Sequence, residues 1–415
     1  MICQNLFVIL LLDGLAVCKQ LLYQNGTKFN ATDNYFFYMK SQNTIVLSLG
    51  SNMGNRLKTI EACMVHIHNE IATVVKVSQI YETPAWGFKS DPFYNCAIAI
   101  HTSKSVQKIL TQLLKLEKQL GRVRSNEPKY EARIIDIDII LCDDYCIVTD
   151  QLEIPHKQMQ HRKFVLLPLQ DLNLHWTHPK LKKSVAELIV ACADNSECKI
   201  VCQMVSPLEK LNFQRYNYIA IEGNIGAGKT TLALKMSEDC NAKLITERFA
   251  DNPFLPKFYK DQNRFAFPLE MSFLADRYQQ LTDDLAQFDL FTDFIVADYH
   301  VFKSIIFAKV TLQEDEFRLY KTMFDIIYKE MNKPDLYVYL YQNTAQLLEN
   351  IKKRGRSYEQ NIEADYLEKI NQGYLDYIKT QTDLNVVVVD ISELDFKKKQ
   401  SDYVFLLSKI AAKLK

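Results

Sequence analysis

The sequence contains little glycine and proline and carries no net charge. Only 11 of its 415 residues are glycine and 11 are proline, which excludes collagen-like repeats and long flexible or low-complexity linkers. Its 50 Lys and Arg residues balance 50 Asp and Glu residues, so the chain as a whole has no field that would attract nucleic acid or an anionic membrane. Any anion must therefore be bound by a local cluster of cations.

Paired cysteines and long apolar segments are also missing from the sequence. The ten cysteines include no CxxC pair, and disulfide frameworks are typical of much smaller secreted domains, so we expect reduced thiols and a cytoplasmic protein. The apolar run LFVILLLDGLAV near the start is interrupted by Asp13 and is too short to span a membrane. No basic residue precedes it. We therefore expect residues 1–43 to be an extension that is disordered or not native.

The remaining residues have the composition of a globular protein and the length of two domains. Hydrophobic residues make up 48% of the chain and charged residues 24%. Residues 44–205 mix strand and helix patterns, which indicates an α+β domain. Residues 206–415 alternate short apolar strands with long helical segments, which indicates an α/β domain with a parallel sheet. The stretch 194–217 has no sustained period, so we place the boundary near Ser206.

A phosphate-binding loop follows the first strand of the second domain. GNIGAGKT matches G-x-x-x-x-G-K-[ST] and comprises Gly223, Asn224, Ile225, Gly226, Ala227, Gly228, Lys229 and Thr230. Backbone N–H groups and the helix N-terminus would bind the phosphates of a nucleoside triphosphate. Lys229 would reach the β- and γ-phosphates, and the Thr230 hydroxyl would bind magnesium. The phosphate-binding loop alone does not identify which reaction the domain catalyses.

A GTPase is one alternative, because MNKPD contains the guanine-reading pattern Asn-Lys-x-Asp. In GTPases this pattern follows a strand, whereas here the strand pattern DLYVYL comes after it. We therefore interpret residues 331–335 as a helix end followed by a strand start, unrelated to guanine.

Charged residues elsewhere in this domain favour a sugar hydroxyl as the phosphate acceptor. Glu247 ends a strand beside the phosphate site, where a carboxylate suits a general base. Glu270 and Arg277 are seven residues apart on one helical face, and KKRGRSYE supplies a basic segment able to close over a triphosphate. Each feature also has an ordinary interpretation, as a surface ion pair or a solvated helix end.

From Tyr218 onward the sequence resembles the deoxynucleoside kinase family. The resemblance implies transfer of the γ-phosphoryl group of ATP to the 5′-hydroxyl of a deoxynucleoside, with Glu247 as general base. It also implies that Tyr259 and Glu359 hold the 3′-hydroxyl and that Phe307 packs on the base. Arg354 and Arg356 match lid arginines that neutralise the transferring charge.

Two positions depart from the family pattern. Glu270 stands where many members have glutamine, and an ionised carboxylate accepts the adjacent donors of guanine, so we expect deoxyguanosine; a neutral Glu270 could serve adenine. Asp298 matches the carboxylate on the magnesium side, but Tyr299 follows it where the family has arginine. Lys303 is a candidate to replace that charge.

The first domain has two aspartates on one face of a strand. Asp136 and Asp138 lie two residues apart in RIIDIDIIL, and ionised carboxylates among isoleucines suggest magnesium between them, although an edge strand with a polar face is the alternative. Arg122, Arg124 and Arg133 lie close by and offer forked donors for phosphate.

Several short motifs of this domain, in order, resemble the hydroxymethyldihydropterin pyrophosphokinase family. They are SLGSN, YETP, FYN, GRVR, R-x-x-D-x-D and PH-x-x-M-x-x-R-x-F, spanning residues 45–193. The resemblance implies a ferredoxin-like α+β fold and transfer of pyrophosphate from ATP to a pterin hydroxymethyl group. The residues it implies are Asp136 and Asp138 for two magnesium ions, Arg122 and Arg133 for the transferring group, Glu117 and His156 for nucleotide, and Thr83, Phe93, Asn95 and Phe164 for pterin.

We thus expect a bifunctional enzyme that uses ATP and Mg²⁺ and binds neither nucleic acid nor membrane. The resemblance to deoxynucleoside kinases also implies a homodimer formed through the kinase domain. The alternatives are a nucleoside-monophosphate kinase in the second domain, or one domain that is a non-catalytic ligand sensor. The loop SNEPKYEA departs in length from the pterin family and carries Lys129 and Tyr130 where an aromatic lid residue is common.

Overall fold

The computed structural model describes residues 41–122, 131–248, 252–286 and 291–412. Most of the predicted extension therefore lies outside the described residues, as do Arg124, Lys129 and Tyr130. The last residue of that extension, Asn43, already begins the first strand, one residue before the predicted domain start. Among the helices in these four ranges, none is long and apolar enough to cross a membrane.

The first domain is an antiparallel sheet with helices packed on it, in agreement with the predicted α+β class. Its strands are β1 (Asn43–Ser51), β2 (Thr73–Val77), β3 (Gln79–Thr83), β4 (Phe93–Thr102), β5 (Asp136–Cys142) and β8 (Lys199–Gln203), with a small pair β6 (Ile147–Val148) and β7 (Glu153–Ile154). Its helices are α1 (Arg56–His66), α2 (Val106–Gln119), α3 (Lys163–Asp171) and α4 (Val185–Ala191). The strand order is β5-β1-β4-β3-β8, and β2 also pairs with β4.

Helix α2 shows why these segments fold as they do. The Ser105 side chain caps its first turn by accepting the N–H of Lys108. Ile109, Leu113 and Leu116 recur every three or four residues and are buried against the sheet. The opposite face of the same helix is exposed, so burial of one apolar stripe fixes how the helix lies on β5.

Two details of the first sheet differ from the sequence prediction. The pattern VKVSQIYET, residues 75–83, is typical of a single strand, but the structure divides it at Ser78 between β2 and β3. Strand β8 lies within 194–217, where no element was predicted. It pairs with β3 alone at the sheet edge, and most of its residues are exposed. An edge strand without a buried face has no apolar alternation to reveal it.

The second domain is a five-stranded parallel sheet with helices on both faces. Its strands are β9 (Tyr218–Gly223), β10 (Lys243–Ile245), β11 (Ile295–Ala297), β12 (Leu336–Tyr341) and β13 (Val386–Asp390), in the order β10-β11-β9-β12-β13. Its helices are α5 (Lys229–Asp239), α6 (Leu255–Phe258), α7 (Gln262–Ala286), α8 (Phe302–Thr311), α9 (Glu314–Lys329), α10 (Thr344–Arg354), α11 (Ala364–Thr380) and α12 (Gln400–Ala411).

Burial on both faces explains the continuous apolar strands of this sheet. In β9, Ile219 and Ile221 face one core cluster while Tyr218 and Ala220 face the other. All five strands run in the same direction, so their carboxyl ends meet at one edge, where ligands bind in folds of this kind. The phosphate loop leaves β9 at that edge.

Buried hydrogen bonds join the two domains. The Gln400 side chain at the start of α12 donates to the carbonyl oxygen of His68 at 3.0 Å and to the hydroxyl of Thr73 at 3.1 Å. At the end of α5, Asp239 accepts a hydrogen bond from Gln42 at 3.0 Å and lies 3.0 Å from the imidazole of His101. The far end of the phosphate-loop helix is therefore anchored on the first domain.

We expect Gln400→Ala to destabilise the whole chain, because it leaves the His68 carbonyl and the Thr73 hydroxyl buried without their partner. The free energy of unfolding should fall by about 1–3 kcal/mol. Gln107→Ala, at an exposed position of α2, is the matched control and should change the unfolding free energy by less than about 0.5 kcal/mol. Chemical unfolding of the two variants measures both values, and equal midpoints would contradict the expectation.

Candidate active sites

The first site lies on three adjacent strands of the antiparallel sheet. The register places Gly50 of β1 opposite Asn95 of β4 on one side and Asp136 of β5 on the other. A Cβ atom on Gly50 would come within 2.9 Å of the Asn95 side-chain oxygen, so only glycine leaves room here. The strands thus form the floor of a cavity of about 260 Å³.

Aromatic rings and one amide line the apolar end of this cavity. Phe93 and Phe164 both line it, and Trp86 packs at a tilt against Phe164 with ring centroids 6.3 Å apart. The Asn95 amide donates to the Thr83 hydroxyl at 2.7 Å, which fixes the side-chain orientation of both residues. A flat heterocycle could lie between the rings and make hydrogen bonds with this pair.

Cations and carboxylates line the other end of the cavity. Arg133 donates to one oxygen of Asp136 at 2.7 Å, and Arg122 contacts the other oxygen. Arg122 also contacts Glu117, which is buried and accepts the N–H of Ile137 at 2.9 Å. The Glu117 carboxylate therefore lies behind Arg122 and outside the set of cavity-lining residues, although the resemblance assigned it to nucleotide.

His156 reaches the cavity from the segment that follows β7. Burial, with the nearby charges of Arg162 and Lys157, lowers the pKa of His156 to about 4. The imidazole is therefore neutral near pH 7. Its Nδ1 atom faces the N–H of Gln158 at 3.3 Å, so Nε2 is the ring atom that can serve a ligand.

The chemistry of the two aspartates suits a divalent cation. Burial, followed by the charge of Asp136, raises the pKa of Asp138 to about 7, as expected for two carboxylates on one strand face. Within the four described ranges, no group of three or more His, Cys, Asp and Glu side chains could hold a metal ion. Two carboxylates suit a metal that takes its other ligands from nucleotide phosphates and water.

The second site begins with the phosphate loop between β9 and α5. Gly226 and Gly228 have φ values of 85° and 84°, which side-chain-bearing residues rarely adopt. A Cβ atom on Gly228 would also come within 2.8 Å of the Phe396 ring. Asn224 is buried and donates to the Leu367 carbonyl at 2.7 Å, which ties the loop to α11. The loop is therefore held rigidly at the sheet edge.

The loop residues that would face a triphosphate lie next to the carboxylate of Asp298, the residue directly after β11. The Thr230 hydroxyl contacts one oxygen of Asp298, and the other oxygen accepts the N–H of Glu247 at 2.8 Å. The Lys229 ammonium donates to the Asn224 carbonyl at 2.9 Å. Burial, followed by repulsion from the Lys303 ammonium, lowers the pKa of Lys229 to about 8.

A buried carboxylate lies between two cations beside this loop. Glu247 follows β10 by two residues, so it lies just beyond the strand end that the sequence predicted. Arg277 donates through Nε and Nη2 to Oε1 at 2.9 and 2.6 Å, and Lys303 donates to Oε2 at 2.6 Å. Burial alone would raise the pKa of Glu247, but these two cations outweigh it and hold the pKa well below its usual range.

A second buried carboxylate, that of Glu270, lies on α7 two turns before Arg277. Glu270 accepts the Thr311 hydroxyl on Oε1 at 3.1 Å, whereas its Oε2 is buried and has no hydrogen-bond partner among the described residues. Burial raises the pKa of Glu270 to about 7, against the opposing charge of Arg277. Arg277 itself hydrogen-bonds Glu247 and, through Nη1 at 2.7 Å, Ser304.

The remaining predicted residues surround the same region. Arg354 contacts Glu359, and Arg356 donates to it at 3.2 Å, so both lid arginines share one carboxylate. After burial, the charge of Glu359 is the main cause that raises the pKa of Tyr259. Phe307 lies one turn after Lys303 on α8, with its ring 5.5 Å from the Lys303 ammonium.

The guanine-like pattern MNKPD lies away from the phosphate loop. It connects the end of α9 to the start of β12, which confirms the sequence interpretation. Asp335 accepts the backbone N–H groups of Asn217 and Tyr218 at 2.6 and 3.0 Å, at the amino end of β9. The phosphate loop is at the opposite end of that strand, so Asp335 caps a strand end.

Sequence reasoning missed several residues that shape the two sites. Gly50 lies within the motif SLGSN and Trp86 lies two residues after the motif YETP, but neither was assigned a role. Ser304 and Thr311 belong to no motif; they lie on α8 directly after Lys303 and eight residues after it. Glu222 immediately precedes the phosphate loop; it is buried and accepts the N–H of His300 at 2.7 Å.

Comparison with known proteins gives separate matches for the two domains. The family model for deoxynucleoside kinase matches residues 219–414, and the model for 7,8-dihydro-6-hydroxymethylpterin-pyrophosphokinase matches residues 46–174. The chain is 39% identical over 202 residues to the deoxyguanosine kinase of Bacillus subtilis (strain 168), a match that covers 48% of this chain and 96% of that relative.

A further relative matches the first domain. The chain is 40% identical over 139 residues to the 2-amino-4-hydroxy-6-hydroxymethyldihydropteridine pyrophosphokinase of Porphyromonas gingivalis (strain W83), which covers 33% of this chain and 94% of that relative. The solved structure of deoxyadenosine kinase from M. mycoides with bound dATP is 29% identical, with a TM-score of 0.41, and the match covers 46% of this chain and 97% of that one.

Proposed function

The chain belongs to the hydroxymethyldihydropterin pyrophosphokinase family through its first domain and to the deoxynucleoside kinase family through its second, and we propose that both sites are active in one bifunctional enzyme. The clamped carboxylate Glu247 beside Lys229 is the single observation that most strongly supports catalysis in the second domain. In the first domain, the equivalent support is a cavity that has aromatic rings at one end and Asp136 at the other.

Both families use ATP with a divalent metal, and we propose Mg²⁺ for each site. Asp136 and Asp138 would hold it in the first domain, and Thr230 with Asp298 in the second. When bound, the metal neutralises phosphate charge and orients the triphosphate. For the first domain we also propose the ferredoxin-like fold. Its support is the β-α-β-β-α-β sequence of elements and the central order β5-β1-β4-β3, with β2 and β3 together as one strand position.

In the first site, the hydroxymethyl oxygen of a reduced pterin would attack the β-phosphorus of ATP. The new O–P bond carries pyrophosphate to the pterin, and the bond to the α-phosphate oxygen breaks to leave AMP. Phe93 and Phe164 would hold the pterin ring while Asn95 and Thr83 read its edge. Arg122 and Arg133 would stabilise the transferring group, and we assign His156 to the nucleotide, with Glu117 acting through Arg122.

In the second site, the 5′-hydroxyl of a deoxynucleoside would attack the γ-phosphorus of ATP. Glu247 would accept the hydroxyl proton, and the bond between the γ-phosphorus and the bridging oxygen breaks to leave ADP. Residues 223–230 would hold the phosphates, and Arg354 and Arg356 would turn from Glu359 toward them. Tyr259 and Glu359 would bind the 3′-hydroxyl, and Phe307 would pack on the base.

Within this activity we propose deoxyguanosine as the preferred acceptor. The unpartnered Oε2 of Glu270 supports the proposal, because a carboxylate can accept N1–H and the 2-amino group of guanine side by side. Arg277, whose positive charge favours the ionised form of Glu270, lies on the same helix. The Bacillus subtilis relative is named a deoxyguanosine kinase, which agrees with this assignment.

We further propose that the kinase domain forms a homodimer through α9, and that the enzyme works in the cytoplasm. Leu319, Met323 and Ile326 are 55%, 39% and 64% exposed and recur at helical spacing on that helix. A stripe of this kind suits an antiparallel or crossed pairing with the same helix of a second copy. Reduced thiols suit the cytoplasm, and no disulfide joins cysteines within the four described ranges.

If the two sites work independently, a substitution in one site should lower the activity of that site and leave the other activity unchanged. Asp136→Ala should lower pyrophosphoryl transfer to hydroxymethyldihydropterin by roughly a hundredfold or more and spare deoxynucleoside phosphorylation, because it removes a metal ligand from one site only. Lys229→Ala should do the reverse. Radiolabelled ATP with each acceptor in turn measures both activities on the same preparation. Loss of both activities from either single change would contradict independent sites.

The pKa of Glu270 predicts how nucleoside preference depends on pH. Below about pH 7 the carboxyl is protonated and can donate to adenine; above it the carboxylate accepts from guanine. The ratio of kcat/KM for deoxyguanosine to that for deoxyadenosine should therefore rise by roughly tenfold between pH 6 and pH 8. Glu270→Gln should remove this pH dependence, whereas Glu330→Gln, at an exposed position, should retain it. A pyrimidine preference at any pH would refute the assignment.

Substitutions that introduce negative charge among the exposed apolar side chains of α9 test the proposed dimer. The double substitution Leu319→Glu and Ile326→Glu should convert the dimer into a monomer, because four buried carboxylates would meet at the interface. Sedimentation equilibrium measures the mass in solution. Val190→Glu, at an exposed apolar position in the first domain, is the control and should leave the dimer intact. A wild-type chain that sediments as a monomer would disprove the dimer.

A further inference from the structure

The side chain of Lys303 is the least explained charge in the second site. It lies in the first turn of α8, is buried, and donates its ammonium to the Glu247 carboxylate at 2.6 Å. An ammonium has three N–H donors, and the hydrogen bond to Glu247 uses one of them. Glu247 already has a cationic partner, since Arg277 donates two hydrogen bonds to its other oxygen.

A chain of contacts connects Lys303 to the phosphate loop. Lys303 donates to Oε2 of Glu247 at 2.6 Å, the Glu247 N–H donates to Asp298 at 2.8 Å, and Asp298 contacts the Thr230 hydroxyl. The Lys303 and Lys229 ammonium groups are close enough to repel each other in this buried region. Glu222, Glu247 and Asp298 balance part of this repulsion, and a phosphoryl group that carries more than one negative charge would relieve the rest.

Given the kinase activity proposed above, on which this step rests, we propose that Lys303 is a second phosphate-binding cation of the kinase site. Its ammonium hydrogen-bonds the transferring phosphoryl group while it positions Glu247 for the attacking hydroxyl. The position fits the reaction, because the γ-phosphoryl group must pass between the loop that holds ATP and the base that faces the acceptor. The bond from the acceptor oxygen to phosphorus forms there, and the bond to the ADP oxygen breaks, so negative charge develops beside Lys303.

The alternative is that Lys303 acts only as a countercharge for Glu247. The two roles differ in what remains when Glu247 is neutral. If Lys303 acts only through Glu247, removing both charges costs no more than removing the carboxylate alone. If it also binds the phosphoryl group, its removal lowers the rate further even in the Glu247→Gln background.

Lys303→Met in the full-length chain is the main test, with the pyrophosphokinase activity of the same molecule as an internal measure of folding. We expect kcat for deoxynucleoside phosphorylation to fall by about 10²–10³-fold. The KM for the deoxynucleoside and the Kd for ADP should change by less than about threefold, because the base pocket and the loop are untouched. Lys309→Met, exposed at the end of the same helix, should retain wild-type kcat.

Two further variants keep the test decisive if Lys303→Met folds poorly. Lys303→Arg retains the charge and should recover at least tenfold of the lost kcat, whereas Lys303→Gln retains only a hydrogen-bond donor and should not. In the Glu247→Gln background, Lys303→Met should lower the residual kcat by a further tenfold or more. Wild-type kcat in Lys303→Gln, or no further loss in the double variant, would overturn the phosphate role. A wild-type chain that phosphorylates no deoxynucleoside would instead overturn the proposed function itself.

Discussion

The second domain depends on a single buried group of charges, the carboxylate of Glu247 between Arg277 and Lys303. These residues come from three separate segments: the end of β10, the middle of α7 and the start of α8. A buried ion group of this kind contributes little net stability, but removal of one member leaves an unpaired charge and typically costs about 3–5 kcal/mol. The three segments are therefore held at one spacing beside the phosphate loop.

The same constraint explains why so much of the surrounding structure is rigid. Ser304 accepts a hydrogen bond from the third guanidinium nitrogen of Arg277, and Asp298 accepts the backbone N–H of Glu247 at 2.8 Å. Asp298 in turn contacts the phosphate loop through Thr230. The positions of Glu247, Asp298 and the phosphate loop are thus coupled through hydrogen bonds. A displacement of about 1 Å in such an arrangement can cost a hundredfold in rate.

The sequence was most informative where the backbone conformation or the strand periodicity permits only a few residue types. GNIGAGKT needs positive φ at Gly226 and Gly228, and the strand before it and helix after it lie where the pattern put them. Asp136 and Asp138 face the first cavity because strand periodicity puts alternate residues on one face. Partners that come from distant segments were less visible. Arg277 seemed to pair with Glu270 at helical spacing, yet its hydrogen bonds go to Glu247, thirty residues away.

Strand β8 and the contact between the two domains could not be predicted from the sequence, for a related reason. A strand at a sheet edge has no buried face to impose a pattern, and a single glutamine such as Gln400 has no sequence signature. Yet these features make the two domains one structure. The phosphate-loop helix α5 starts at Lys229 in one active site and ends at Asp239 beside His101. His101 lies on β4, the strand whose opposite end carries Phe93 and Asn95 of the other site. Two elements of regular structure, α5 and β4, therefore connect the two sites. The two sites share no residue, so each can carry out its chemistry without the other. Each domain nevertheless helps to hold the other domain's site in place, because α5 and β4 meet at the contact between the domains.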